Sequence, residues 1–219
     1  MALPAYDSST LSGSSTVNYT FSHTTSGADR YLFVICSCQS TPPSAVSYAG
    51  VAMTLLVTMP GNVNVWGLPS PAVGANNVSV TVGSSFSTRA AAASYNGVSG
   101  IGNPDASHQT DTGGSAVTVT DTITTVTDNS YVIGFGEYQS SSGQLTAGSG
   151  ATERQNSGSS SSYTSFGIFD SNGVKTPAGT RSMTLNVSAS SGRMVLQQYA
   201  LKPAVPALAG LLAIPPCVR

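Results

Sequence analysis

The acidic side chains are the first candidates for catalysis, because hydrolysis of a glycosidic bond needs two well-placed carboxylates. The chain of 219 residues has only nine acidic side chains, and Glu137 is the strongest catalytic candidate among them. Glu137 ends a predicted central strand and precedes a loop rich in Ser and Gly. A carboxylate at a strand end is more commonly a solvated residue on the rim of a sheet. No second group completes a catalytic constellation around Glu137, so we predict a protein that is not an enzyme.

A loop at residues 103–111 brings potential metal ligands together. Asp105, His108 and Asp111 lie within seven positions, a spacing at which oxygen ligands can hold Ca²⁺. The alternative is an ordinary turn, because Asp and Asn next to Pro or Gly are common turn formers. The turn is the stronger alternative, so we predict no metal and no cofactor.

Nucleophilic chemistry has little support in the sequence. Residues 97–100 (GVSG) fall one residue short of the Gly-x-Ser-x-Gly motif of serine hydrolases and lie in a predicted loop. Cys36 and Cys38 are two apart on a predicted strand, so both side chains face the same way, and we predict buried, inert thiols.

Aromatic side chains could form a platform on which sugar rings stack. Most of them occupy predicted strand positions, where aromatic residues normally fill the core or its rim. The residues concerned are Trp66, Tyr48, Tyr95, Tyr138, Tyr163 and Tyr199. The sequence therefore favours a core role for these rings.

The composition excludes several classes of protein. Charged residues make up 8% of the chain, against about 25% in ordinary soluble domains. A pI near 6.0 without a basic cluster argues against nucleic-acid binding. No apolar run reaches the roughly 18 residues of a membrane-spanning helix, and the first residues lack the basic and apolar regions of a signal peptide. We expect neither nucleic acid nor membrane as a partner.

The elements that must position these residues are predicted to be strands. Residues 31–38 and 131–138 are nearly continuous apolar runs typical of covered central strands, and residues 77–82 alternate strictly between apolar and polar. Residues 90–95 are rich in alanine, but flanking strand signals favour a crowded core strand over a short helix. Glycines at positions 134 and 136 predict close packing against another backbone.

About eleven to thirteen strands at a spacing of 8–12 residues predict an all-β fold. We predict a single jelly-roll-like antiparallel β-sandwich with an extended apolar C-terminal tail. The expected organisation is an N-terminal arm at residues 1–14, the sandwich at 15–203 and the tail at 204–219. No internal repeat is clear in the sequence.

The tail has no strand alternation and carries several prolines. An apolar segment left in water is a liability, so we expect it to pack against its own sandwich or against a neighbouring subunit. The predicted partner-binding residues are Leu208, Leu211, Leu212, Ile214, Pro215, Pro216 and Val218.

Five strand phrases together resemble a β-sandwich module of tailed-phage virion proteins and bacterial surface proteins. The phrases are VSYAGVAMTL (46–55), VWGL (65–68), NVSVTV (77–82), AAASYNGV (91–98) and YALKP (199–203). The resemblance covers most of residues 15–203 and transfers no active residues. In phages such sandwiches resemble capsid decoration (cement) proteins and head or tail fibres, which often assemble as trimers.

The sequence therefore favours a virion structural protein on the outer surface of a phage capsid. The expected partners are the major capsid protein or other virion subunits, together with further copies of the chain as a homo-oligomer, with a trimer favoured. The alternatives are a phage tail or fibre component, and a secreted carbohydrate-binding or adhesin module at the cell surface. A hydrolase that uses Glu137 is a third hypothesis.

Overall fold

The fold is described from a computed structural model of the chain. It describes residues 2–38, 40–82, 87–102, 107–140, 143–158, 164–188 and 192–204. The predicted partner-binding residues of the tail, together with Asp105 and Tyr163, lie outside these ranges.

The described residues form eighteen β-strands and no helix, more strands than the sequence predicts. The strands are β1 (Ala5–Leu11), β2 (Tyr19–Thr25), β3 (Tyr31–Cys38), β4 (Ala45–Tyr48), β5 (Val51–Ala52), β6 (Thr54–Met59), β7 (Val63–Pro69), β8 (Gly74–Thr81), β9 (Thr88–Asn96), β10 (Val98–Ile101), β11 (Ser107–Asp111), β12 (Thr118–Thr125), β13 (Tyr131–Gln139), β14 (Leu145–Ala147), β15 (Thr152–Asn156), β16 (Ser165–Asp170), β17 (Gly179–Val187) and β18 (Arg193–Pro203). In the described part of the chain, no helix is therefore long and apolar enough to cross a membrane.

The strands build four antiparallel sheets, two from each half of the chain. The N-terminal half (residues 5–96) forms an inner sheet, β1-β9-β3-β7-β6, and an outer sheet, β2-β8-β4-β5. The C-terminal half (residues 98–203) forms an inner sheet, β10-β18-β13-β16-β15, in which β11 also pairs with β18, and an outer sheet, β12-β17-β14. The predicted all-β class and antiparallel sandwich are confirmed.

Three apolar clusters stack these sheets into four layers. One cluster fills the space between the two N-terminal sheets around Val34, and another lies between the two C-terminal sheets around Leu196. The third and largest joins the two inner sheets, with Phe33 of one facing Phe135 of the other at 5.3 Å between ring centroids. Each fully buried side chain of this size stabilises the fold by about 1.5–3 kcal/mol, so the inner interface binds the halves firmly together.

The two halves repeat the same strand order, although no repeat is clear in the sequence. The order β1-β9-β3-β7-β6 corresponds to β11-β18-β13-β16-β15, and β2-β8-β4 corresponds to β12-β17-β14. Asp29 and Asn129 occupy matching turn positions one hundred residues apart, with φ angles of 51° and 61°. Asp and Asn tolerate this left-handed conformation better than most residues, which accounts for both choices.

The predicted central strands are confirmed. Every residue of β3 is buried, as are the first eight residues of β13, so both strands are covered on both faces. Residues 90–95 lie within β9 and are all buried, which confirms a crowded core strand there.

Two features differ from the expectations. The segment predicted as an N-terminal arm contains β1, which pairs with β9 along the edge of the inner sheet. A Cβ atom at Gly134 or Gly136 would meet Met183 or Leu185 of the outer sheet, so these glycines make room for side chains. The expectation of close packing against another backbone is therefore wrong.

Candidate functional site

Glu137 lies inside the molecule, where the two halves meet. It is completely buried on β13, and alternation along the strand directs its side chain to the same face as Phe135. Its Oε1 atom accepts a hydrogen bond from Gln139 Nε2 at 2.5 Å, and the N–H of Gly61, between β6 and β7, also donates to the carboxyl. The alternative that Glu137 is a solvated rim residue is therefore wrong.

Burial controls the ionisation of this acid. Loss of hydration raises the pKa of Glu137 to about 7, against the opposing effects of the Gln139 and Gly61 hydrogen bonds. Its Oε2 atom has no hydrogen-bond partner among the described residues. Asp111, whose negative charge also raises this pKa, is itself ion-paired with Arg193. Glu137 can therefore hold or release a proton near neutral pH.

A second buried polar cluster ties β16 of one half to β9 of the other. Asp170, fully buried, accepts hydrogen bonds from Arg154 Nε at 2.6 Å and from the Tyr95 hydroxyl at 3.1 Å. Arg154 also donates to the Tyr131 hydroxyl at 3.2 Å and lies 4.2 Å from the ring centroid of Tyr6. The charges of Asp170 and Arg154 are thus paired and hydrogen-bonded, which offsets the cost of burying them. The pair also fixes the register between the two halves.

A serine, a histidine and an aspartate also meet, but not in catalytic order. Ser94 donates to Asp7 Oδ2 at 2.8 Å, while His23 Nε2 lies 3.2 Å from the Ser94 hydroxyl and Nδ1 lies 3.0 Å from Thr10 Oγ1. In a catalytic triad the carboxylate orients the histidine, whereas here it binds the serine. Burial lowers the pKa of His23 to about 4, so the imidazole is neutral near pH 7, while hydrogen bonds from Ser26 and Ser94 lower the pKa of Asp7.

The residues of the predicted metal loop are partly visible. Asp105 lies outside the described residues, and for His108 the structure describes the backbone, which pairs with Gln198. Asp111 is ion-paired with Arg193, which together with the Gly113 N–H lowers the pKa of Asp111. Across the described ranges, no group of three or more acidic, His or Cys residues is placed to hold a metal ion.

The aromatic side chains serve the core, as the sequence favours. Five of the six rings considered for sugar stacking are buried: Tyr48, Trp66, Tyr95, Tyr138 and Tyr199. Cys36 and Cys38 are both buried, and burial raises the pKa of the Cys36 thiol far above its ordinary value, so Cys36 is unreactive.

The start of the C-terminal tail lies on a fixed part of the fold. Ala204 is buried, and its N–H donates to the carbonyl of Gly97 at 2.8 Å. The N–H of Gly97 in turn donates to Ala28, and the carbonyl of Leu3 lies against Gly97. The N-terminal segment, the junction between the halves and the origin of the tail therefore meet at one end of the molecule. The side chain of Leu3 is 45% exposed there, leaving apolar surface beside the tail's origin.

Comparison of the chain with protein-family models, curated proteins and solved structures found no match in any of the three. The buried polar clusters around Asp170 and Ser94 escaped the sequence analysis, because their members are far apart in the chain and belong to no local motif. The only signal was the presence of single polar residues within apolar strands.

Proposed function

We propose that this chain is a non-enzymatic structural protein of a phage virion, most specifically a decoration (cement) protein on the outer surface of the capsid. In this role it stabilises the head through contacts with the major capsid protein or other virion subunits, and with further copies of itself. Two observations support this role: the strand phrases resemble those of phage virion modules, and the apolar tail leaves the fold from a fixed position.

The observation that carries the proposal is the fixed origin of an apolar tail. Ala204 is anchored to Gly97, and the fifteen residues that follow contain a single charged side chain, Arg219. Fully extended, fifteen residues span about 50 Å, more than the length of any strand in the fold. Such a segment is long enough to reach a neighbouring subunit, and its burial there supplies the hydrophobic driving force for assembly.

The outer surfaces suit close contact with other protein surfaces. On the C-terminal outer sheet the exposed residues of β12 meet those of β17 through their hydroxyls: Thr120 lies 2.9 Å from Thr184, and Thr122 lies 3.1 Å from Ser182. Uncharged faces of this kind form contacts that salt screens only weakly. A rigid four-layer body with hydroxyl-rich faces is a suitable spacer between capsid subunits.

Light scattering on the intact chain and on a variant ending at Ala204 tests the role of the tail. Ending at Ala204 preserves its hydrogen bond to Gly97, so the sandwich stays intact. We expect a trimer or larger assembly that becomes a monomer on truncation.

A full-length variant separates the apolar character of the tail from its mere presence. Replacing Leu208, Leu211 and Leu212 with Ser should abolish assembly, whereas the control Val17→Ser with Val117→Ser, which removes exposed apolar groups elsewhere, should leave it unchanged. A stable monomer in every form would contradict the proposal and would favour a secreted binding module, to be followed by glycan screening.

A further inference from the structure

Three polar side chains meet in the apolar space between the inner and outer sheets of the C-terminal half. Asp121 on β12 accepts a hydrogen bond from Thr110 Oγ1 of β11 at 2.5 Å through Oδ1. Through Oδ2 the same carboxyl accepts a hydrogen bond from Gln198 Nε2 of β18 at 2.8 Å. Gln198 is completely buried and Asp121 is 1% exposed, while the Oε1 atom of Gln198 has no partner among the described residues.

The strand register places the hydroxyl and the amide side by side. In the β11–β18 ladder Thr110 lies opposite Leu196, which is two residues from Gln198 on the same face. Thr110 and Gln198 are therefore diagonal neighbours, about 7–8 Å apart at the backbone and within reach of each other's side chains.

The fold itself does not require this polar cluster. The matching positions of the N-terminal half, where β2, β9 and β3 repeat the same register, hold Phe21 in place of Asp121 and Ala92 in place of Gln198. Both belong to, or pack against, the apolar cluster of that half. The buried acid and amide of the C-terminal half, together with the half-buried hydroxyl of Thr110, therefore call for an explanation beyond packing.

We propose that Thr110 and Gln198 form an intramolecular ester with the catalytic help of Asp121. The Thr110 oxygen attacks the side-chain carbonyl carbon of Gln198, and Asp121 accepts the hydroxyl proton. Asp121 then delivers that proton to the Gln198 nitrogen, the carbon–nitrogen bond breaks, and ammonia leaves. One hydroxyl and one primary amide give one ester and one ammonia, so the step needs no oxidant and no co-reactant.

Asp121 is well suited to this transfer, because it touches both the atom that loses a proton and the atom that gains one. The reacting groups are held together on packed strands, which gives them a high effective concentration. The complete burial of Gln198 keeps water away from the ester carbonyl and so slows hydrolysis of the product. Replacement of the amide by an ester also lowers the cost of a buried carbonyl oxygen without a partner, since an ester carbonyl is the weaker acceptor.

The ester would join β11, at the edge of the inner sheet, to β18, the last strand. It closes a covalent loop through most of the C-terminal half and fixes the strand from which the tail departs. A cross-link of this kind stabilises the fold mainly by restricting the unfolded chain.

Intact-mass spectrometry of the purified full-length chain tests the ester. We expect a mass lower than that of the printed sequence by one ammonia. Trypsin should then release residues 90–154, which carry Thr110, covalently joined to residues 194–219, which carry Gln198. Hydroxylamine, which cleaves esters but not amides under mild conditions, should separate the two fragments.

Variants identify the reacting groups. Thr110→Val removes the nucleophile with little change of shape, Asp121→Asn removes the proton carrier, and both should restore the full sequence mass. Thr122→Val is the matched control, because it removes a threonine hydroxyl from the exposed face of β12, and its mass should stay low by one ammonia.

Succinimide formation at an Asn–Gly pair, such as Asn96–Gly97 or Asn172–Gly173, also releases one ammonia. That product leaves the two tryptic fragments separate and persists in Thr110→Val. The ester is overturned by the full sequence mass in the wild-type chain, by unlinked fragments, or by a mass deficit that survives in Thr110→Val. The fragment analysis uses the wild-type chain, so it decides the matter even where a variant fails to fold.

Discussion

At the scale of single residues, the buried carboxyl of Glu137 couples the stability of the fold to pH. The two halves close over this side chain, and its Oε2 atom gains no hydrogen bond from the described residues. Burial raises its pKa in the folded protein to about 7 from an ordinary value of 4.5. Between these two values the folded state binds more protons than the unfolded state, so the contribution of Glu137 to stability falls as the pH rises.

We predict that Glu137→Gln removes this pH dependence. At pH 8 the variant should be more stable than the wild type by up to about 3 kcal/mol, and the difference should vanish near pH 4.5. Urea unfolding at both pH values measures it, and the exposed Glu153→Gln is the control that should show no such trend.

The comparison with the wild type is essential because His23 acts in the opposite direction. Burial lowers the pKa of His23 to about 4, so its contribution to stability is present above pH 6.5 and is lost as the pH falls through 4. The same His23 is present in both proteins, so its effect cancels in the difference. A difference of the same size at both pH values would contradict the assignment of the shift to Glu137.

The sequence identified Glu137 as unusual but not its environment. Its Gly61 contact joins residues far apart in the chain, and only the packing of the two inner sheets brings them together. The same holds for Asp170 with Tyr95, whereas pairing of β11 with β18 brings Thr110 close to Gln198. Long-range polar pairs leave no local pattern, so alternation and spacing cannot predict them.

At the scale of elements, β13 shows how a central strand adapts to its neighbour. Gly134 lies where a Cβ would meet Met183 of β17, so the large side chain of one layer fills the space left by the glycine of another. The corresponding residue of the N-terminal half is Val34, at the same register position of β3. The two halves therefore reach close packing differently: the central strand contributes a valine in the N-terminal half and a glycine, covered by a methionine, in the C-terminal half.

We predict that Gly134→Ala destabilises the protein by about 1–3 kcal/mol through overpacking. Met183→Ala removes the side chain that the new methyl group would meet, so the double variant should lose less stability than the sum of the two single losses, which is coupling between the positions. Gly114→Ala is the control, because nothing lies within 4 Å of its added Cβ. Chemical denaturation measures the wild type, the two single variants, the double variant and the control, and strictly additive effects would contradict the contact.

The elements best predicted from the sequence are those with continuous apolar runs. Strands β3, β9 and β13 follow from burial on both faces, which demands apolar residues at nearly every position. Strand β1 (AYDSSTL) lacks such a run, because it is an edge strand and its residues are exposed or half-buried. β1 is held by backbone hydrogen bonds to β9, and these place few constraints on the side chains of β1. The sequence of β1 therefore does not reveal the strand.

At the scale of the whole molecule, the inner interface should make the two halves unfold together. Phe135 is fully buried there and packs against Phe33 of the other half. Trp66, the only tryptophan of the chain, lies in the apolar cluster of the N-terminal half and reports on that half by fluorescence. A change at Phe135 in one half can thus be detected at Trp66 in the other.

We predict that Phe135→Ala lowers the free energy of unfolding by about 3–5 kcal/mol. Trp66 fluorescence and far-UV circular dichroism should shift to the same lower denaturant midpoint. The exposed Val17→Ala should move neither signal. A tryptophan transition that keeps the wild-type midpoint would show that the halves unfold independently.

The repeated strand order also belongs to this scale, and the sequence did not reveal it. The strands β3 (YLFVICSC) and β13 (YVIGFGEY) occupy equivalent positions but share little beyond their first tyrosine. Burial constrains the size and apolar character of these residues more than their identity, so two halves can keep one topology while their letters diverge.

A tail-dependent structural role on a phage capsid is the central proposal, and co-sedimentation of the chain with phage capsids tests it most directly. The intact protein should sediment with the capsids to a fixed stoichiometry, with little change between low and high salt because few charges take part. The variant ending at Ala204 should remain in the supernatant. Failure of the intact chain to bind, or equal binding by the truncated variant, would contradict the account.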